Sequence, residues 1–126
     1  GGYDDAVILR DIPLQSTCEH HMAPIRGLVH IAYLPRRRVV GISKLARLVE
    51  AFGRRLQIQE RLTTEIADTL AQVLQPRGVA VIVQASHECL SSRGVSLHGV
   101  SMQTRRLLGE FAQEPRRTEI LATLAG

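Results

Sequence analysis

Residues able to bind a metal crowd into two short stretches of this chain. Thr17-Cys18-Glu19-His20-His21 offers a thiolate, a carboxylate and two imidazoles in succession. Ser86-His87-Glu88-Cys89 brings a second His and Cys together, with Arg93-Gly94 just behind. Cys18 and His21 stand three residues apart, a spacing that one turn of loop or helix can direct at a single ion, and soft sulfur with borderline nitrogen favours zinc over hard cations. Cys18, His21 and Cys89 would make a three-ligand set with an open fourth position, the arrangement of catalytic zinc, in which a bound water has its pKa lowered to about 7. His20 and His87 are then the imidazoles left to carry protons, a task suited to a group that titrates at about 6.5 when unperturbed. Spacing alone leaves His20 and His21 interchangeable, and leaves His87 open as a fourth ligand that would make the site structural. A Cys18–Cys89 disulfide is the competing use of the two cysteines. The histidines beside each cysteine weigh against it, since a disulfide does not need them.

Other candidates need anions or amidines. Ser43, Lys44 and Arg47 open an amphipathic stretch and could hold phosphate at a helix N-terminus, although a solvated polar face is the commoner use of such residues. Gln59-Glu60-Arg61 begins a second one. A carboxylate at Glu60 could accept two hydrogen bonds from an edge such as guanine N1 and N2, or be an ordinary first-turn Glu favoured by the helix dipole. Arg36-Arg37-Arg38 reads as a solvated hairpin tip, and Arg93 as a strand-ending turn.

The elements that must position these groups follow from periodicity. Ala6 to Ile12 is a strand closed by Pro13, and Gly27 to Leu34 is a second, with Leu28, His30, Ala32 and Leu34 on one face. From Ser43, a natural N-cap, the pattern Leu45, Leu48, Val49, Phe52 predicts an amphipathic helix, and Gly53 ends it. A longer helix runs from Ile58 to Gln75 with Leu62, Ile66, Leu70, Val73 and Leu74 inward, and stops at Pro76-Arg77-Gly78. Val79 to Cys89 alternates as a strand, which would bring His87 and Cys89 to one side. Val100 to Phe111 is a weaker strand, and a short helix follows Pro115 with Ile120, Leu121 and Leu124 inward. The order β-β-α-α-β-β plus a tail helix is an α+β plan, an antiparallel sheet with two helices on one face. Its open edges call for oligomerisation.

Composition narrows the function classes. The 126 residues suit a single domain. Lys and Arg number 16 against 12 Asp and Glu, mostly arginine, so an anionic partner is expected. Nucleic acid is disfavoured because only 3% of residues are aromatic and Trp is absent, leaving no stacking platform. No apolar run approaches the roughly 20 residues of a membrane span, and no secretory leader opens the chain. A cytoplasmic location is the expectation.

Taken together and in this order, Ser16-Thr17-Cys18-Glu19-His20-His21, Gly41-Ile42-Ser43-Lys44-Leu45-Ala46-Arg47, Arg55-Leu56-Gln57-Ile58-Gln59-Glu60-Arg61-Leu62-Thr63 and His87-Glu88-Cys89 with Arg93-Gly94 resemble GTP cyclohydrolase I of the zinc-dependent type. The resemblance runs from about Val7 to the C-terminal helix. It implies the tunnelling fold, assembly into a decamer of two pentameric rings with sites between subunits, and conversion of GTP to 7,8-dihydroneopterin triphosphate with release of formate, an early step towards folate or other pterins. By motif, Cys18, His21 and Cys89 would bind Zn2+, whose hydroxide attacks C8 of the purine. His20 would protonate the opening ring, His87 would serve proton transfers at the ribose, and Ser43 would assist the sugar rearrangement. Glu60, beside Gln59, would anchor guanine, while Lys44, Arg47 and Arg93 would hold the triphosphate.

The sequence departs from that pattern in lacking the N-terminal helical region, in Leu28 where a Lys is common, and in Arg105 and Arg106 within a Thr- and Ser-rich strand. A non-catalytic paralogue binding GTP or a pterin is therefore the alternative reading. A structural-zinc module with four protein ligands is the third.

Overall fold

In the computed structural model the described residues are 6–18, 24–87 and 101–125. Strands β1 (Val7–Cys18) and β2 (Pro24–Leu34) precede helix α1 (Ile42–Gly53), a two-residue strand β3 (Leu56–Gln57) and helix α2 (Gln59–Leu74). Strands β4 (Gly78–His87) and β5 (Ser101–Gly109), a 3-10 turn (Glu110–Ala112) and helix α3 (Arg116–Ala125) complete the order. The sheet runs β3-β1-β2-β4-β5, antiparallel throughout except that β3 lies parallel to β1. The α+β plan with two helices inserted between two hairpins is thus observed.

Strand alternation divides the core into two layers. Leu14, Val29, Ile31, Val81 and Val83 face α1 and α2, which contribute Leu45, Val49 and Phe52, and Leu62, Ile66 and Leu70. On the opposite face Ala32, Leu34, Ala80 and Ile82 pack with Phe111, Ile120 and Leu124, so α3 covers one end of it. Two glycines set these distances. A Cβ on Gly27 would strike the Gln84 carbonyl and Ala85, so glycine lets β2 and β4 approach. A Cβ on Gly53 would strike the Gln15 carbonyl, so the C-terminal end of α1 rests directly on β1.

Several boundaries differ from expectation. β1 continues through Pro13 to Cys18. At Pro13 it is an edge strand, because β3 joins it only at Thr17 and Cys18, and an edge tolerates the missing donor. α1 begins at Ile42 with Gly41 as its N-cap, and Ser43 lies inside the first turn. Val73 is 53% exposed, because the buried stripe of α2 runs through Leu70 and Leu74. β5 ends at Gly109, where φ is 65°, a conformation glycine adopts at little steric cost. The stretch from residue 88 to 100, which includes the expected end of the Val79–Cys89 strand and the expected start of the last strand at Val100, lies outside the described residues.

β1 also carries a bulge between Leu9 and Ile12, where Asp11 adopts φ 63°. The Asp11 N–H donates to Nδ1 of buried His30 at 3.0 Å, which fixes an imidazole neutral at that nitrogen. Burial pulls the His30 pKa below its ordinary 6.5, Arg10 adds to the effect and the Asp11 carboxylate opposes it. The unfolded chain therefore takes up this proton more readily than the folded one. The stabilisation is complete above about pH 6.5 and is lost as pH falls through the lower folded value. His30→Gln, which keeps an acceptor but does not titrate, is expected to flatten this part of the decline. Urea midpoints for both proteins at pH 7.5 and 5.0 measure it, and equal declines would remove His30 as the cause.

Candidate active site

The sheet register gathers distant parts of the chain at one end. Ser16 pairs with Ile25, and Ile25 with His87, so the last described residue of β4 lies across β2 from the C-terminal end of β1. Cys18 is two residues beyond Ser16 and pairs with Gln57 of β3. Two residues past Gln57, α2 begins with Gln59 and Glu60. Cys18, His87 and the first turn of α2 therefore share one end of the fold. A hydrogen bond from Ser16 Oγ to the Arg55 carbonyl (3.3 Å) ties the α1–β3 connection to this end of β1. Arg55 itself lies over the Phe52 ring at 4.7 Å and pairs with Glu65 at 3.4 Å.

The first turn of α2 is held by an unusual device. Its N-cap, Ile58, supplies no side-chain hydrogen bond. The Gln59 side chain, fully buried, instead donates from Nε2 to the carbonyls of Val83 (3.1 Å) and Met102 (3.0 Å) and to Thr104 Oγ1 (3.1 Å). Glu60, the next residue, is exposed and has no hydrogen-bond partner among the described residues. The amide of Gln59 is thus engaged with β4 and β5, while the carboxylate of Glu60 stands at the surface.

Ser43, Lys44 and Arg47 start from elsewhere. The segment leading into α1 is anchored where the Val40 N–H donates to the Tyr33 hydroxyl at 3.0 Å, and Tyr33 pairs with Val7 and Val79 at the opposite end of the sheet. A helix of this length spans about 18 Å, and its far end reaches Gln15. Within one chain the α1 N-terminus is consequently remote from Cys18 and His87. All three side chains are exposed. Arg36 to Arg38 are exposed as well, and Arg38 Nη1 donates to the Val73 carbonyl at 3.0 Å, as cations at a helix C-terminus do.

His20, His21, Cys89 and Arg93 lie outside the described residues. Among the described residues no three His, Cys, Asp or Glu side chains form a metal-binding group. Sequence reasoning did not single out Thr63 or Thr104. Thr63 falls one turn after Gln59 and carried a local signal. Thr104 is 45 residues away and carried none.

Strand order and helix placement define the class, an α+β tunnelling-fold domain. The crystal structure of the archaeosine synthase QueF-Like in its apo form superposes with a TM-score of 0.69 at 20% identity, over 82% of this chain and 93% of that one, a likeness of fold alone. The family model described as GTP cyclohydrolase I matches residues 1–125, and the chain belongs to that family. GTP cyclohydrolase 1 of Allorhizobium ampelinum is 56% identical over 111 residues, covering 88% of this chain and 55% of the relative. That of Maricaulis maris is 53% identical over 113 residues, covering 90% and 55%. The chain thus spans about half the length of the curated relatives it matches.

Proposed function

We propose that this chain is the catalytic domain of a zinc-dependent GTP cyclohydrolase, forming 7,8-dihydroneopterin triphosphate and formate from GTP in the cytoplasm. The observation that carries the reading is the register that gathers Cys18, His87 and the Gln59–Glu60 turn at one end of the sheet, in a chain of this family. No helix among the described residues is long and apolar enough to cross a membrane.

The donor set fits zinc: two thiolates and an imidazole, from Cys18, Cys89 and His21, leave one position for water. Cys18 ends β1, and His87, which ends β4, lies across β2 from that end, which supports the reading. Bound zinc supplies Lewis acidity and a water ionisable near neutral pH. The chain's own residues do the rest. Glu60 accepts the guanine N1–H and N2–H, which orients the purine, whereas an adenine analogue would set its N1 acceptor and C2–H against the carboxylate and leave it without a donor. His20 protonates the imidazole-ring nitrogen as the C8–N bond breaks, and His87 moves protons at the ribose carbons, with Ser43 assisting the sugar rearrangement. Lys44, Arg47 and Arg93 neutralise the triphosphate.

Because the α1 N-terminus lies at the far end of its own sheet, Ser43, Lys44 and Arg47 serve the site of a neighbouring copy. The sheet edges, β5 on one side and on the other the part of β1 that β3 does not cover, are where such copies would meet, and a decamer with sites between subunits is the assembly this reading takes.

Incubating the zinc-loaded protein with GTP is expected to produce the pterin absorbance and stoichiometric formate. A chelator removes both, and added zinc restores them. Absence of turnover with zinc fully bound would sink the enzymatic reading.

A further inference from the structure

The polar contacts beneath α2 close into a ring. Gln59 Nε2 donates to Thr104 Oγ1 at 3.1 Å, the Thr104 and Thr63 hydroxyls are 2.6 Å apart, and Thr63 Oγ1 donates to the Gln59 carbonyl at 2.9 Å. Each hydroxyl has one proton. With the Thr63 proton committed to the Gln59 carbonyl, the Thr104 proton must go to Thr63 Oγ1, and Thr104 Oγ1 accepts from Gln59. One orientation satisfies the whole ring. Gln59 and Thr63 are each 1% exposed, so a missing partner would not be replaced by bulk water. Nε2 has two hydrogens for three acceptors, so the Val83 and Met102 carbonyls share the second one, which fastens the same turn to β4 and β5.

We propose that Thr104 is a positioning residue for guanine recognition. It sets the Gln59 side chain, and through it the first turn of α2 that presents Glu60. This rests on the reading of Glu60 as the guanine anchor. The turn has no side-chain N-cap of its own, so the clamp takes over the cap's work of fixing where the helix begins. Thr104 itself does not touch substrate.

Three measurements on the zinc-loaded protein test this. Thr104→Val, which removes the hydroxyl at nearly constant volume, is expected to speed hydrogen exchange in the segment 58–66 without nucleotide, and Thr104→Ser to restore protection. The preference for GTP over inosine triphosphate, which lacks the 2-amino group that Glu60 would bind, is expected to fall about fivefold in Thr104→Val and recover in Thr104→Ser. Thr63→Val opens the ring at a second point and serves if Thr104→Val does not fold. Unchanged exchange overturns the clamp, and equal losses on both nucleotides overturn its role at Glu60. A wild-type protein inactive on both nucleotides removes the enzymatic reading and that role, independently of the exchange result.

Discussion

Cys18→Ser is expected to leave the fold intact and to strip the protein of zinc. The position of Cys18 is fixed by main-chain pairing, with Gln57 on one side and the long β1–β2 ladder behind it, and neither depends on the sulfur. A serine hydroxyl is a hard and weakly acidic replacement for a thiolate, so an ion held by three protein donors would keep only two good ones. Turnover of GTP should fall by more than ~100-fold, the scale that loss of a metal's outer hydrogen-bond partner alone can reach. His20→Ala supplies the contrast. It is expected to keep its zinc and to lose about 10²–10⁴ in turnover, the usual worth of a positioned general acid. Metal content after gel filtration, read beside the GTP assay, separates the two variants. Full zinc occupancy in Cys18→Ser would remove that residue from the ligand set. Zinc loss in His20→Ala but not in His21→Ala would mean that the two adjacent imidazoles exchange roles.

The contrast between what local pattern reveals and what only pairing reveals runs through the molecule. The apolar alternation of Val79, Val81, Val83 and Ala85 and the helical spacing of Leu45, Val49 and Phe52 are legible because burial imposes a period on neighbouring residues. The residue types proposed as ligands around Cys18 and Cys89 are legible for a related reason, since metal chemistry restricts donor identity. What brings the Cys18 and His87 ends of two strands together is register, set by cross-strand contacts far apart in sequence. The bulge at Asp11 and the parallel pairing of β3 are equally non-local, and Pro13 misleads because a proline stops a strand only where its missing donor is required. Gln59 shows the same limit from the opposite side. Its neighbour Glu60 and its place in a motif invite a ligand-binding role, yet its amide is engaged with carbonyls of β4 and β5. The remoteness of the α1 N-terminus also has no local signature. It follows from how Tyr33 and Gly53 anchor the two ends of that segment.

Glu60→Gln is expected to lower kcat/KM for GTP by ~10²–10³ while leaving the melting temperature unchanged. Two charge-assisted hydrogen bonds to a bound guanine are together worth ~3–5 kcal/mol in a site shielded from water. The glutamine amide replaces one acceptor by a donor, which would oppose a donor of guanine. Stability is insulated because Glu60 is exposed and has no hydrogen-bond partner among the described residues, and its turn is held by Gln59 instead. The same substitution should change which base is preferred. Xanthine presents N1–H and the O2 carbonyl where guanine presents N1–H and N2–H, and a glutamine amide offers the matching acceptor and donor. Glu60→Gln is therefore expected to improve xanthosine triphosphate relative to GTP, whereas Glu60→Ala lowers the use of GTP with no compensating gain. Equal losses on the two nucleotides, or a lowered melting temperature, would make Glu60 an ordinary helix-terminal residue and move guanine recognition elsewhere in the site.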